Sequence, residues 1–319
     1  NKNNKIKRTP RLFLTGFTMG LADLVPGVSG GTIAFIFGIY EELLYSIKLI
    51  TGEVPKLILK RQFKQAFTLI PFGFLVPLVG GIVLAIFGLV KLVSFLLETQ
   101  AVFVWSFFFG LVLGSAYIIS RRIKKWTINR IILMISGFTL TFIIVGLPSI
   151  GGSSDPIAIF LTGAIAITAM ILPGISGSLI MVLLGQYEII INAVSNRDYF
   201  TIFVFVIGAI IGLALFVRLL TWLLKHYQFA VIATLIGVMA GSLRRIWPWQ
   251  NEDINGNVYN IMPELNSSLM IAVILTLMGF VLVYILERIG IAKEHDDINT
   301  KEFKKEFNFS PMTKKIYIS

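Results

Sequence analysis

Long apolar runs alternate along the chain with short polar breaks. Runs of spanning length fall at about 69–97, 101–120, 131–147, 199–224, 229–247 and 268–286, each near the roughly 20 residues that carry a helix across a hydrocarbon core of about 30 Å. They predict six transmembrane helices. Two further runs, about 12–40 and 157–190, are interrupted by Pro26-Gly27 and Pro173-Gly174. Proline removes an amide donor and Pro-Gly favours a turn, so each of these predicts a helix bent within the membrane.

The two bent runs share a phrase. Asp23-Leu24-Val25-Pro26-Gly27-Val28-Ser29-Gly30-Gly31 is answered by Met170-Ile171-Leu172-Pro173-Gly174-Ile175-Ser176-Gly177-Ser178, and Gly38-Ile39-Tyr40-Glu41 by Gly185-Gln186-Tyr187-Glu188, all at an offset of 147 residues. Further on, Lys91 pairs with Arg218, and Gly110, Gly114 and Ser115 pair with Gly237, Gly241 and Ser242, now at an offset of 127. The first copy therefore carries about 20 extra residues, an internal-repeat reading with one insertion. Lys48, Lys56, Lys60, Arg61 and Lys64, broken by Gly52 and Pro55, mark that insertion at about 42–68. The expected organisation is a first repeat over 1–150, a second over 151–290 and a polar tail over 291–319.

Charge sets the expected topology. Lys5, Lys7, Arg8 and Arg11 precede the first bent run and the basic insertion follows it, so the positive-inside rule places both of its ends in the cytoplasm. Ser153, Ser154 and Asp155, with Asn196, Arg197 and Asp198, flank the second run and place its ends outside. The prediction is an all-α integral membrane protein of two inverted-topology repeats, each a re-entrant helical hairpin plus three transmembrane helices, with both termini cytoplasmic. Trp126 and Trp222 would mark the inner interface, and Trp105, Trp247 and Trp249 the outer one. The basic start lacks a small-residue cleavage site, so it is read as mature protein.

Composition removes whole classes of function. With 56% hydrophobic and 14% charged residues and a mean hydropathy of +0.83, the chain is no soluble globular domain. The absence of cysteine excludes disulfides and thiolate chemistry, and His226 and His295 alone make no metal centre. No cofactor is expected. The net charge of +11 flanks membrane segments rather than forming a basic domain, which points to anionic lipids and away from nucleic acid. A lipid phosphatase needs a nucleophile with acid–base partners, and His226 is solitary.

The candidate chemistry lies at the two repeated turns. A hairpin tip inside hydrocarbon leaves amide donors unpaired at the start of its second half-helix, each costing several kcal/mol. Broken helices in transporters turn such ends toward anionic groups. Gly27, Gly30, Gly31, Gly174 and Gly177 allow close backbone approach, and Ser29, Thr32, Ser176 and Ser178 add hydroxyl donors, a set suited to phosphate. Small residues also serve plain helix packing. Lys91, Arg218, Arg244 and Arg245 are further candidates for the phosphate; snorkelling and headgroup anchoring compete with that role. Asp23, embedded beside the first tip, is the candidate proton carrier. Glu41 and Glu188, about 18 Å along a helix from the tip serines, are candidate gates, with helix capping as the alternative.

These phrases, together with Gly241-Ser242-Leu243-Arg244-Arg245-Ile246-Trp247-Pro248-Trp249, resemble the PopT family over roughly residues 11–290. The resemblance implies a flippase returning undecaprenyl phosphate from the outer to the inner leaflet of the bacterial plasma membrane for reuse in cell-envelope (peptidoglycan) synthesis. Its implied partners are that lipid and anionic lipids, and a homo-oligomer is compatible. Asp23 stands against Met170 and Gly31 against Ser178, so the two tips are not expected to be equivalent. A phosphate monoester carries about −1.5 to −2 charges, and moving each inward against the membrane potential costs about 2.3 kcal/mol per 100 mV, so proton coupling is expected. A small inorganic-anion channel or exchanger is the alternative. Only the phosphate needs a polar path, so a lateral opening is expected for the prenyl chain.

Overall fold

The structure is a computed structural model that describes residues 2–25, 28–123, 125–149, 151–253 and 258–294. Pro26, Gly27 and the end of the expected polar tail lie outside the described residues. α1 (Lys2–Asp23) leads through the first repeated turn to two short helices, α2 (Gly30–Ile36) and α3 (Tyr40–Lys48). The expected insertion is itself helical: a π-turn at Leu49–Glu53, then α4 (Val54–Leu59) and α5 (Phe63–Leu69). Three longer helices follow, α6 (Phe72–Thr99), α7 (Ala101–Ser120) and α8 (Ile128–Ile144).

The second half reproduces this order without the insertion. α9 (Pro156–Ile171), α10 (Gly177–Leu183) and α11 (Tyr187–Ser195) precede α12 (Tyr199–Ser242); a two-stranded antiparallel hairpin, β1 (Gln250–Glu252) and β2 (Val258–Asn260), then leads to α13 (Ser267–Glu294). At 1.5 Å per residue a straight helix of 44 residues would run about 66 Å, twice a hydrocarbon core. α12 does not run straight, because Tyr227 leaves helical geometry (φ −132°, ψ 39°) and divides it. Among the described residues four helices, α6, α7, α12 and the Ser267–Leu286 stretch of α13, are long and apolar enough to cross a membrane. The α10–α11 pair, bent by 108°, would make five. α8 and α9 are shorter apolar helices. The chain is thus an all-α, multi-pass membrane protein.

Sequence mates make matching contacts. α1 packs on α6 and α9 on the first half of α12; α7 packs on α13 and the second half of α12 on α8. Glycine makes these approaches close. A Cβ at Gly81 would come within 2.1 Å of the Phe13 carbonyl, and one at Gly208 within 2.1 Å of the Phe160 carbonyl. Likewise Gly110 meets Thr276 and Gly279 meets Phe107, while Gly237 meets Met134 and Gly137 meets Thr234. Each pair maps onto its counterpart at offsets of 147, 127 or, for the last helix of each half, 142 residues. The third long helix of each half packs on the glycine face of the other, so neither half closes a core alone. Much of the remaining apolar surface is exposed, including Phe87, Phe95 and Leu140, as expected for side chains that face lipid.

Candidate functional site

Both repeated turns fold toward the interior and touch each other. The Gly174 amide donates to Thr32 Oγ1 at 2.9 Å, and Ser29 Oγ donates to the Met170 carbonyl at 3.0 Å. The Tyr40 hydroxyl donates to the Ile171 carbonyl at 3.2 Å. A helix ends with unpaired carbonyls. Those at the end of α9 are thus capped by side chains 131 and 141 residues away.

Within the first tip the donors at the start of α2 are taken by the protein itself. The Gly30 amide donates to Asp23 Oδ1 at 2.7 Å, and the Gly31 amide to Ser29 Oγ at 3.1 Å. Ser29, Gly30, Gly31 and Thr32 are buried. Two glycines are required by packing here: a Cβ at Gly30 would lie 2.6 Å from Asp23 Oδ2, and one at Gly31 would lie 2.5 Å from the Ile171 carbonyl.

The second tip is built differently. Ser176 caps α10 in position only, with no side-chain hydrogen bond to the helix amides, and its Oγ pairs with Ser178 Oγ at 2.7 Å. Gly174 adopts φ +92°, a left-handed geometry that favours glycine, and a Cβ there would meet Met239 Cα at 2.9 Å and Ser242 Oγ at 3.1 Å. The Gly-x-x-x-Gly-Ser helix therefore forms the floor on which this tip sits.

The other candidate residues divide. Arg218 reaches the insertion, donating to the Thr51 carbonyl at 3.3 Å. Beside it, the Lys56 hydrogen bond and charge hold the Glu53 carboxyl below its usual range, with a smaller pull from Arg218. Arg244 donates to the Phe142 carbonyl at 2.9 Å in the last turn of α8 and lies 4.6 Å from the Phe142 ring centre, an arrangement that caps a helix C-terminus. Its neighbour Arg245 is half-buried. Lys91, Glu41 and Glu188 are exposed.

Sequence reading passed over two features. Glu42, one position beyond the repeated carboxylate, pairs with Arg8; its mate is Ile189, so repetition carries no signal for it. Around the C-terminus of α2, Arg11 approaches the Phe37 carbonyl at 3.5 Å and Arg122 lies 5.7 Å from the Phe35 ring centre.

Residues 19–261 match a family model described as undecaprenyl phosphate translocase-like. A polyprenyl-phosphate transporter of Vibrio cholerae is 42% identical over 238 residues, covering 75% of this chain and 77% of that protein. One of Staphylococcus aureus is 31% identical over 254 residues, covering 74% of this chain and 85% of that protein. No solved structure matches the chain.

Proposed function

Since the chain belongs to the undecaprenyl phosphate translocase-like family, we propose that it carries polyprenyl phosphate, undecaprenyl phosphate in particular, from the outer to the inner leaflet of a bacterial plasma membrane. Both termini are cytoplasmic in this reading. The two halves, 1–150 and 151–290, are inverted repeats, each opening with a re-entrant hairpin. The matched glycine contacts and the left-handed glycines that follow each tip, Gly38 at φ +72° and Gly185 at φ +66°, support that arrangement.

The observation that carries the reading is the Asp23 carboxylate on the Gly30 amide at 2.7 Å. A carboxylate oxygen already sits where a tip offers its donor. The Ser176–Ser178 pair and Gly177 form the counterpart without an internal anion. The phosphate binds there first, with Ser176 and Ser178 as hydroxyl donors. Proton uptake by Asp23 removes the carboxylate charge, loosens its bond to Gly30 and opens Ser29, Gly31 and Thr32 to the phosphate, so proton and substrate move together. Charge-assisted hydrogen bonds of this kind are about twice as strong as neutral ones. The site has no role for Lys91 beyond the interface. Arg218 and Arg244 stabilise the insertion and α8, and Arg245 meets headgroups. Glu41 and Glu188 flank the mouths of the two hairpins.

The test is leaflet exchange of labelled polyprenyl phosphate in proteoliposomes with an imposed proton gradient. Exchange above empty vesicles, reduced in Ser176→Ala/Ser178→Ala that still melts cooperatively, is the expected result. Flux of inorganic phosphate with no lipid exchange would replace this reading with a small-anion transporter.

A further inference from the structure

Arginine is distributed unequally between the mouths of the two hairpins. On α1, Arg8 pairs with Glu42 of α3, and Arg11, half-buried one turn further in, approaches the Phe37 carbonyl at 3.5 Å. Arg122, half-buried in the turn after α7, lies 5.7 Å from the centre of the buried Phe35 ring. Arg11 and Arg122 therefore meet the same end of α2, where Gly38 turns the chain toward α3 at φ +72°. Neither forms an ion pair among the described residues. A guanidinium carries five donors, and the bond to Phe37 takes one of them at the limit of hydrogen-bonding distance.

Thr15 adds an independent observation. It stands one turn from Arg11 on α1, is 1% exposed, and its hydroxyl has no hydrogen-bond partner among the described residues. Buried hydroxyls are ordinarily bonded. Helical side chains lean toward the N-terminus, which directs Thr15 toward the turn that holds Arg11. The repeat supplies a control. At the offset of 147 residues Thr15 maps to Thr162, whose hydroxyl donates to the Ala158 carbonyl at 2.8 Å. The same residue in the same place can thus bond to the carbonyl one turn back, and Thr15 does not. The mates of Arg8 and Arg11 are Asp155 and Ala158, and at the offset of 127 the mate of Arg122 is Trp249. These donors gather at one mouth and are missing from the other.

We propose that Arg11, Thr15 and Arg122 form a second phosphate station, at the mouth of the first hairpin, which takes the phosphate monoester of the lipid after it leaves the tips. This rests on the transport reading above, which makes that mouth the cytoplasmic one. A phosphate monoester presents three strong acceptor oxygens. The Thr15 hydroxyl donates to one, and the two guanidinium groups take the others through charge-assisted bonds. The buried hydroxyl separates this station from the general excess of cations on a cytoplasmic face, because a headgroup anchor has no use for it. Arg11 lies about 18 Å along α1 from Asp23. The phosphate therefore passes from neutral donors at the tips to charged donors at the mouth, and the sense of that step is inward.

The experiment reads the arginines directly. Full-length protein in phosphatidylcholine proteoliposomes is treated with phenylglyoxal, which modifies guanidinium groups, with and without farnesyl phosphate. Modification of each arginine is followed by peptide mass spectrometry, and leaflet exchange of farnesyl phosphate is measured in parallel. Farnesyl phosphate is expected to slow modification of Arg11 and Arg122 several-fold in the intact protein and to lose that protection in Thr15→Val. Thr15→Val is also expected to exchange several-fold more slowly while melting no lower, since it gives up a hydroxyl that has no partner. Thr162→Val is expected to keep both protection and exchange. Equal protection by phosphatidylglycerol would make the cluster a headgroup anchor, and protection by inorganic phosphate alone would make it a small-anion site; either overturns the station. Arginine modification unchanged by farnesyl phosphate, with exchange by the intact protein intact, would overturn the station and leave the transport reading standing. Absence of exchange by the intact protein would overturn both.

Discussion

The two tips carry the same phrase and close in opposite ways. In the first, Asp23 and Ser29 occupy the amides of Gly30 and Gly31, and Ser29 and Tyr40 reach across to cap the end of α9. In the second, Met170 replaces the carboxylate, Ser176 and Ser178 bond to one another, and Tyr187, the mate of Tyr40, is exposed. A repeated backbone frame is loaded once with the protein's own carboxylate, and in the proposed reading its mate is left for an external anion. Two substitutions within the phrase, at 23/170 and 31/178, make that difference.

The comparison can be broken most severely at Gly174. Gly174→Ala forces a side chain into a left-handed backbone, costing about 1–3 kcal/mol, and against Met239 and Ser242, adding about 1–3 kcal/mol of overpacking. Thermal unfolding in detergent should show a large loss of stability, with transport lost alongside it. Unchanged melting would mean the tip does not rest on α12 as described.

Giving the second tip the first tip's anion is next. Met170→Asp should hold the fold and lower exchange by tenfold or more, since a tenfold change corresponds to about 1.4 kcal/mol and a tethered carboxylate competes directly for the same donors. The reciprocal Asp23→Asn keeps an acceptor for the Gly30 amide and should keep the melting temperature while abolishing the dependence of exchange on the proton gradient. Gradient dependence surviving in Asp23→Asn removes Asp23 as the proton carrier.

The serines sharpen the same contrast. Ser29→Ala removes an N-cap worth about 0.5–2 kcal/mol together with the bond to α9, so it should lower stability. Ser176→Ala loses no bond to the helix amides and should leave melting nearly unchanged while reducing exchange. Equal stability losses in both would mean that the tips are equivalent after all. The smallest effects are expected at the repeated cations: Lys91→Met should fall within about ±0.5 kcal/mol. Arg218→Met should cost slightly more through the lost bond to Thr51, a difference visible in matched melting curves.

Much of this architecture was legible in the sequence. Apolar run lengths located the long helices, and the matched pairs such as Gly16–Leu78 and Gly163–Phe205 map onto one another at the offsets of 147 and 127 read from the sequence. The mismatch of Asp23 with Met170 was visible too. What periodicity could not convey was the partner of each group. Asp23 is legible as a candidate proton carrier, but nothing in its spacing reveals that its carboxylate accepts from the first amide of α2. Charge, visible in one dimension, makes Arg244 a candidate for a phosphate or a headgroup; its bond to the end of α8 depends on a carbonyl 102 residues away. The insertion is legible as a basic connection, and its short helices and the Arg218 bond to Thr51 are not. The six expected spans fall on α6, α7, α8, the two parts of α12 and α13, and the gap between the runs 199–224 and 229–247 lies where Tyr227 divides α12.

The most direct measurement is the leaflet-exchange rate of labelled undecaprenyl phosphate in proteoliposomes holding either the intact protein or Met170→Asp, matched for folded protein. Exchange by the intact protein with the variant at the level of empty vesicles is the predicted result. Equal rates in the two would contradict the assignment of the second tip as the place where the phosphate is held.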